Sequence, residues 1–142
     1  MNNIVLIDKN IICRHALQDH DEHSPRANQL FQGLARGTKK VYCPATAVFE
    51  AIHIMHGRNG APREEVGAYF RMILNYPGLE THHPAAILNA LDFWTKQPRL
   101  DYADCYHLAL AEELGITQVY SFDKKMDRYP GVERIEPEAA GT

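Results

Sequence analysis

Residues 101–123 read DYADCYHLALAEELGITQVYSFD, and the fold is reasoned outward from this stretch. Two acids, Asp101 and Asp104, precede an apolar run that stops at Gly115, and residues 116–122 then carry β-branched and aromatic side chains up to Asp123. Glycine just past the last periodic residue is a helix stop, and the composition that follows it is that of a strand. On a helix Asp104, Leu108 and Ala111 share a face, so the Asp104 carboxylate stands at one end of a helix whose apolar sides predict burial. A carboxylate there must be paired, protonated or bound to a cation.

Outward from this stretch the same alternation of strand and helix recurs. Residues 3–7 form a continuous apolar run ending in Asp8-Lys9-Asn10, as expected of a central strand covered on both faces. Residues 11–17 predict a short helix and residues 18–23 a polar loop. Ser24 then supplies an N-cap with Pro25 at the first helical position, and Ala27, Leu30, Phe31 and Leu34 form one stripe before Gly37. A strand is expected at 40–43, a helix at 45–56 closed by Gly57, a helix at 62–74, a type II turn at 76–79 and a strand at 79–82. Residues 84–95 predict a helix, 124–128 a single turn and 132–135 an edge strand. The pattern argues for an α/β three-layer sandwich with a mostly parallel central sheet flanked by helices. Residues 1–136 are expected to form one domain and 137–142 a disordered tail.

At 142 residues the chain is long enough for one well-buried core. Its formal charge of −3 announces no basic field for nucleic acid, although bound cations or local Lys/Arg clusters can dominate near a site. Three cysteines, Cys13, Cys43 and Cys105, include no C-x-x-C pair, so neither a disulfide framework nor a thiolate zinc site is expected. No signal peptide or membrane span is read, and the cytoplasm is the expected compartment.

Asp8, Glu50, Asp104 and Asp123 each stand where a core-building sequence prefers a neutral residue. Carboxylates about 4 Å apart repel by roughly 4 kcal/mol at an effective dielectric near 20, so four that converge call for a cation. Oxygen ligands without cysteine suit Mg2+ or Mn2+, which polarise a phosphodiester and activate a bound water.

In order and spacing these motifs resemble the PIN-domain ribonucleases, especially the toxins of bacterial VapBC toxin–antitoxin pairs. The resemblance rests on Asp8-x-Asn10 after the first strand, a central helix carrying Glu50, Asp104 to Glu112 ahead of Gly115, and Ser121-Phe122-Asp123. It implies a catalytic acidic metal site at Asp8, Glu50, Asp104 and Asp123, supported by Asn10 and Ser121, with Asp101 a further supporting candidate. It also implies an RNA substrate, a homodimer and an antitoxin partner. Lys9 departs from the family, which usually has Thr, Ser or Ala there. Its side chain points away from Asp8 if the strand continues; if the chain turns, its ammonium can take the place of an ion or reach a substrate phosphate.

Plainer readings stand beside these. Asp101 and Asp104 fit an N-cap and a first-turn acid, Asp123 a cap for residues 124–128, and Glu50 a solvated stripe with Thr46 and His53. The eight histidines show no H-E-x-x-H arrangement and read as surface residues. Cys105 reads as a small hydrophobe. Lys124 and Lys125, with Lys9, are the candidate substrate-binding cations, and Arg14 and Arg99 are weaker ones. Two other functions fit the sequence: a catalytically silent PIN-like binding module, and a phosphoesterase acting on DNA or small phosphate esters.

Overall fold

The computed structural model describes residues 3–141; Met1, Asn2 and Thr142, the last residue of the expected tail, lie outside the described residues. The chain divides into two compact units, Met1–Pro84 and Ala85–Thr142. Both combine helices with parallel strands, so the chain is α/β, as its alternating pattern predicts.

In the first unit β1 (Val5–Leu6), β2 (Val41–Tyr42) and β3 (Leu79–Glu80) form a sheet in that order, parallel throughout. Val5 lies opposite Val41, and Val41 opposite Leu79. Parallel neighbours require crossovers, and helices supply them. These are α1 (Lys9–Leu17) and α2 (His23–Arg36) between β1 and β2, then α3 (Ala45–Ile52) and α4 (Arg63–Leu74) between β2 and β3. Ile12, Phe31, Leu34, Val48, Val66 and Phe70 are buried at the spacings that make each helix amphipathic. Gly78 marks a close passage of the chain. A Cβ there would overlap the Lys39 carbonyl oxygen and lie 2.8 Å from Leu34 Cα. With only hydrogen in that space, the Gly78 N–H donates to the Leu34 carbonyl at 2.9 Å and its own carbonyl accepts from Val41 N–H at 2.8 Å.

Four local expectations fail in this unit. Residues 3–7 are not a covered central strand: Val5 and Leu6 are 62% and 61% exposed, and β1 is an edge of its sheet. Of that run it is Ile7, just past the strand, that is buried. Ser24 does not cap α2. The His20 imidazole does so, its Nδ1 accepting from His23 N–H at 2.9 Å and Glu22 N–H at 3.3 Å. This frees the buried Ser24 hydroxyl to donate to the Arg14 carbonyl at 2.8 Å, tying α1 to α2. Gly57 does not stop the third helix, which continues as a π-helical turn over His53–Arg58. The left-handed glycine there is Gly60, at φ +70°, and Asn59, Gly60 and Ala61 N–H groups satisfy the terminal carbonyls. Finally, Leu79 N–H closes the turn on the Tyr76 carbonyl at 3.1 Å, but Gly78 lacks the positive φ that a type II turn requires.

In the second unit α5 (Pro84–Lys96), which opens at the last residue of the first, precedes α6 (Tyr102–Glu113). The Tyr102 hydroxyl donates to the Ile87 carbonyl at 3.0 Å and its ring meets Trp94 edge-on, with centroids 6.0 Å apart. Cys105, Leu108 and Ala109 are buried, as the apolar sequence of α6 predicts. The helix ends in a Schellman arrangement: Ile116 N–H donates to Ala111 and Gly115 N–H to Glu112, at 2.8 and 3.1 Å. β4 (Gln118–Tyr120) follows, and after the 3-10 turn Lys124–Arg128, β5 (Glu133–Ile135) pairs with it in parallel. No helix among the described residues is long and apolar enough to cross a membrane.

Candidate functional site

Asp8 follows β1 and is the N-cap of α1. Its Oδ1 accepts from the backbone N–H of Asn10 at 2.9 Å and of Ile11 at 3.3 Å. A helix N-terminus offers unsatisfied donors and a partial positive charge, so the sequence Asp8-Lys9-Asn10 turns directly into helix and holds the carboxylate in one orientation. The bond at position 10 comes from the Asn10 backbone. Because the chain turns at Asp8, Lys9 is the first helical residue, and its Nζ reaches Glu50 Oε2 on α3 at 3.1 Å. The two flank a shallow cavity of about 270 Å3 that also includes His53 and Arg58. Thr46, Glu50 and His53 are all exposed, the solvated stripe that the helical spacing allows.

In the second unit Asp101 is the N-cap residue of α6, without a capping bond from its side chain, and Asp104 lies in the first turn. Burial, followed by the charges of Asp101 and Asp123, pushes the Asp104 carboxyl up from its ordinary value, against the opposite pull of His107 and Lys125. Asp123 caps the 3-10 turn, its Oδ1 accepting from Lys125 N–H at 3.0 Å, while Lys125 Nζ stands 3.9 Å from its other oxygen. Ser121 Oγ accepts from Asp123 N–H at 3.0 Å, so it steadies the backbone that carries the acid. Lys124 is exposed beside them. Arg134, which sequence reasoning missed, donates to the Ser121 carbonyl at 2.8 Å and pairs with Asp127 at 2.7 Å and Glu136 at 2.5 Å. Its position on β5, the strand paired with β4, is the only signal that could have found it.

The donor chemistry of these residues fits a hard divalent ion, since carboxylate oxygens dominate and Asp104 already feels two neighbouring negative charges. Within neither unit do three His, Cys, Asp or Glu side chains gather closely enough to hold an ion, among the described residues. The thiols are no alternative: all three are buried, and burial pushes Cys43 up to about 12, where no thiolate forms at neutral pH. His20 and His23 stack on each other at 4.0 Å, with His20 Nδ1 committed to the helix start.

Residues 5–132 match the family model of the PIN domain. The chain belongs to the PIN-domain family. PIN domains are generally nucleases, hydrolases that act on nucleic acid and usually use divalent metal ions. The match begins at β1, three residues before Asp8, and extends past Asp123, so it includes every acid that the sequence singled out. No curated protein matches this PIN domain.

One further constellation escaped the sequence reading. A groove of about 600 Å3 adjoins Asp8 and Asn10 and is lined by Arg14 of α1 and by His23 and Arg26 of α2. His23, Arg26 and Leu30 follow helical spacing, which groups them on one face, but that this face meets α1 beside Asp8 is a tertiary fact.

Proposed function

We propose that this PIN domain is a Mg2+- or Mn2+-dependent endoribonuclease, acting as one domain over residues 1–136 and serving as the toxin of a toxin–antitoxin pair. In this reading it works in the cytoplasm as a homodimer restrained by its antitoxin. The observation that carries the metal requirement is Asp104, whose carboxyl is raised by burial and by the charges of Asp101 and Asp123. A divalent cation relieves that crowding, and the family match supplies the nuclease context.

Asp8, Glu50, Asp104 and Asp123 are the acids that would hold the ion. Bound there, the ion would activate a water and neutralise the leaving oxyanion of a phosphodiester. The chain's own contribution is preorganisation. Two backbone N–H groups orient Asp8 and the Ser121 hydroxyl fixes the backbone under Asp123, while the Lys9 ammonium neutralises Glu50 until an ion displaces it. Asn10 supports Asp8 through its backbone and Asp101 raises the local negative potential. Lys124 and Lys125 supply phosphate contacts.

Single-stranded RNA incubated with Mn2+ or Mg2+ should be cut by the wild-type protein and left intact by Asp8→Asn. Single-stranded DNA and a small phosphate monoester serve as competing substrates; faster turnover of either would assign a different phosphoesterase.

The Lys9–Glu50 ion pair supports a second reading, a PIN module in which an ammonium replaces the ion and the domain only binds. RNA binding without metal-dependent cleavage, together with Mn2+ affinity that is weak in the wild type and gained in Lys9→Thr, would select it.

A further inference from the structure

The groove beside Asp8 contains more positive charge than the chain's net charge of −3 suggests. Two guanidinium groups, Arg14 and Arg26, and the His23 imidazole share it with one carboxylate. Each arginine has an acidic neighbour, Asp19 at 3.2 Å from Arg14 and Glu22 at 3.7 Å from Arg26. Both pairs are solvent-exposed, and such pairs contribute about 0–1 kcal/mol, so a stronger anion can displace the carboxylate cheaply. Phosphate is that anion, because the guanidinium fork matches two of its oxygens. The floor between the charges is aliphatic, formed by Ile11, Ala27 and Leu30. His23 is the one aromatic ring in the lining, so the groove has no platform on which successive bases would stack.

We infer that this groove carries the phosphate backbone of single-stranded RNA toward Asp8, with Arg14 and Arg26 holding separate phosphates and His23 adding a ring N–H. The inference rests on the ribonuclease reading and deepens it: these are positioning residues for substrate, and they hold the strand independently of its sequence. Contact to phosphate predicts affinity that falls steeply with salt and changes little with base composition.

The test uses the wild-type chain in EDTA, where binding is read without cleavage, and a fluorescein-labelled single-stranded oligouridylate. Fluorescence anisotropy is measured from 50 to 200 mM salt. Alanine at both Arg14 and Arg26 should weaken binding roughly tenfold at the lower salt and reduce the slope of log affinity against log salt by roughly 0.7 per arginine. Lysine at both positions should restore the slope while losing part of the affinity, since it keeps charge but not the fork. An oligoadenylate of equal length should give the same slope. Slopes that stay unchanged in the alanine variant, with folding verified by circular dichroism, overturn the inference. So does an arginine-dependent slope for a polyglutamate peptide with none for RNA, which would assign the groove to an acidic protein segment. Cleavage by the wild type with Mn2+ is scored separately. If RNA is cut but the slopes do not move, the groove is wrong and the ribonuclease stands; if RNA is neither cut nor bound, the ribonuclease reading fails.

Discussion

The two units treat their acidic residues differently. In the first, Asp8 is satisfied by two N–H groups of α1 and Glu50 by the Lys9 ammonium at 3.1 Å. In the second, Asp104 lies near Asp101 and Asp123, and the lysine that answers Asp123 stands 3.9 Å away. The first side compensates each of its two acids from within the chain; in the second Asp123 is capped as well, but Asp104 keeps two like charges nearby. A carboxylate satisfied by its own fold is oriented without an ion, whereas one raised by its neighbours is stabilised when a cation arrives. The comparison therefore separates acids that the fold already compensates, in the first unit, from an acid crowded by like charges, in the second.

The sharpest way to break this division is Asp8→Asn alongside Asp104→Asn. If both acids hold the ion, each variant loses RNA cleavage by at least about a hundredfold, the scale of several kcal/mol of lost ion assistance, in a gel assay with labelled RNA. If Asp8 only caps α1, its variant cleaves normally, because asparagine caps as well as aspartate does.

Gly78→Ala comes next. The added Cβ meets the Lys39 carbonyl and Leu34 Cα, both backbone, so the loss of stability should be about 1–3 kcal/mol in urea unfolding. If the first unit's work is positioning, cleavage falls in proportion to the unfolded fraction and no further; a larger loss would mean that the sheet tunes the site directly.

Lys9→Thr has a smaller effect. An exposed ion pair contributes about 0–1 kcal/mol, so removing the ammonium should tighten Mn2+ binding up to about fivefold by calorimetry. Unchanged affinity would show that Glu50 is not a ligand for the ion or that Lys9 never competes with one.

The smallest effect is the pH dependence of Asp104→Asn. The raised carboxyl means that the folded wild type holds its proton more tightly than the unfolded chain, so its stability declines as pH rises from the ordinary carboxylate range through the raised value. The asparagine variant escapes that decline. Its melting temperature relative to wild type should rise across this window and stay flat above it, and saturating Mg2+ should reverse the order at pH 7. A relative stability that does not change with pH would place Asp104 outside any crowded cluster.

Much of the architecture was legible in advance. The helices over 63–74 and 102–113 follow from apolar spacing, and the Schellman ending after Glu113 was signalled by Gly115. The misreadings share one cause. Ser24 looked like a cap and Gly57 like a stop because each has the right local chemistry, but His20 took the first role and Gly60 the second. Competing partners a few residues away were equally suitable, and packing chose between them. At the site, the acids at Asp8 and Asp123 were visible as residues ending strands, and both do cap the turns that follow. The groove of Arg14, His23 and Arg26 was not visible, because no linear pattern indicates which helix face will meet another.

The sequence alone determined the alternation of helix and strand and where the acids stand along the chain, since apolar periods act over one or two turns of backbone; which cap and which glycine end a helix was settled by packing. Tertiary structure decided what each charge faces. Lys9 meets Glu50 and Arg14 shares a groove with Arg26 only because α1 is packed against α3 and α2, and a Coulomb interaction depends on distance through space, not on separation along the chain.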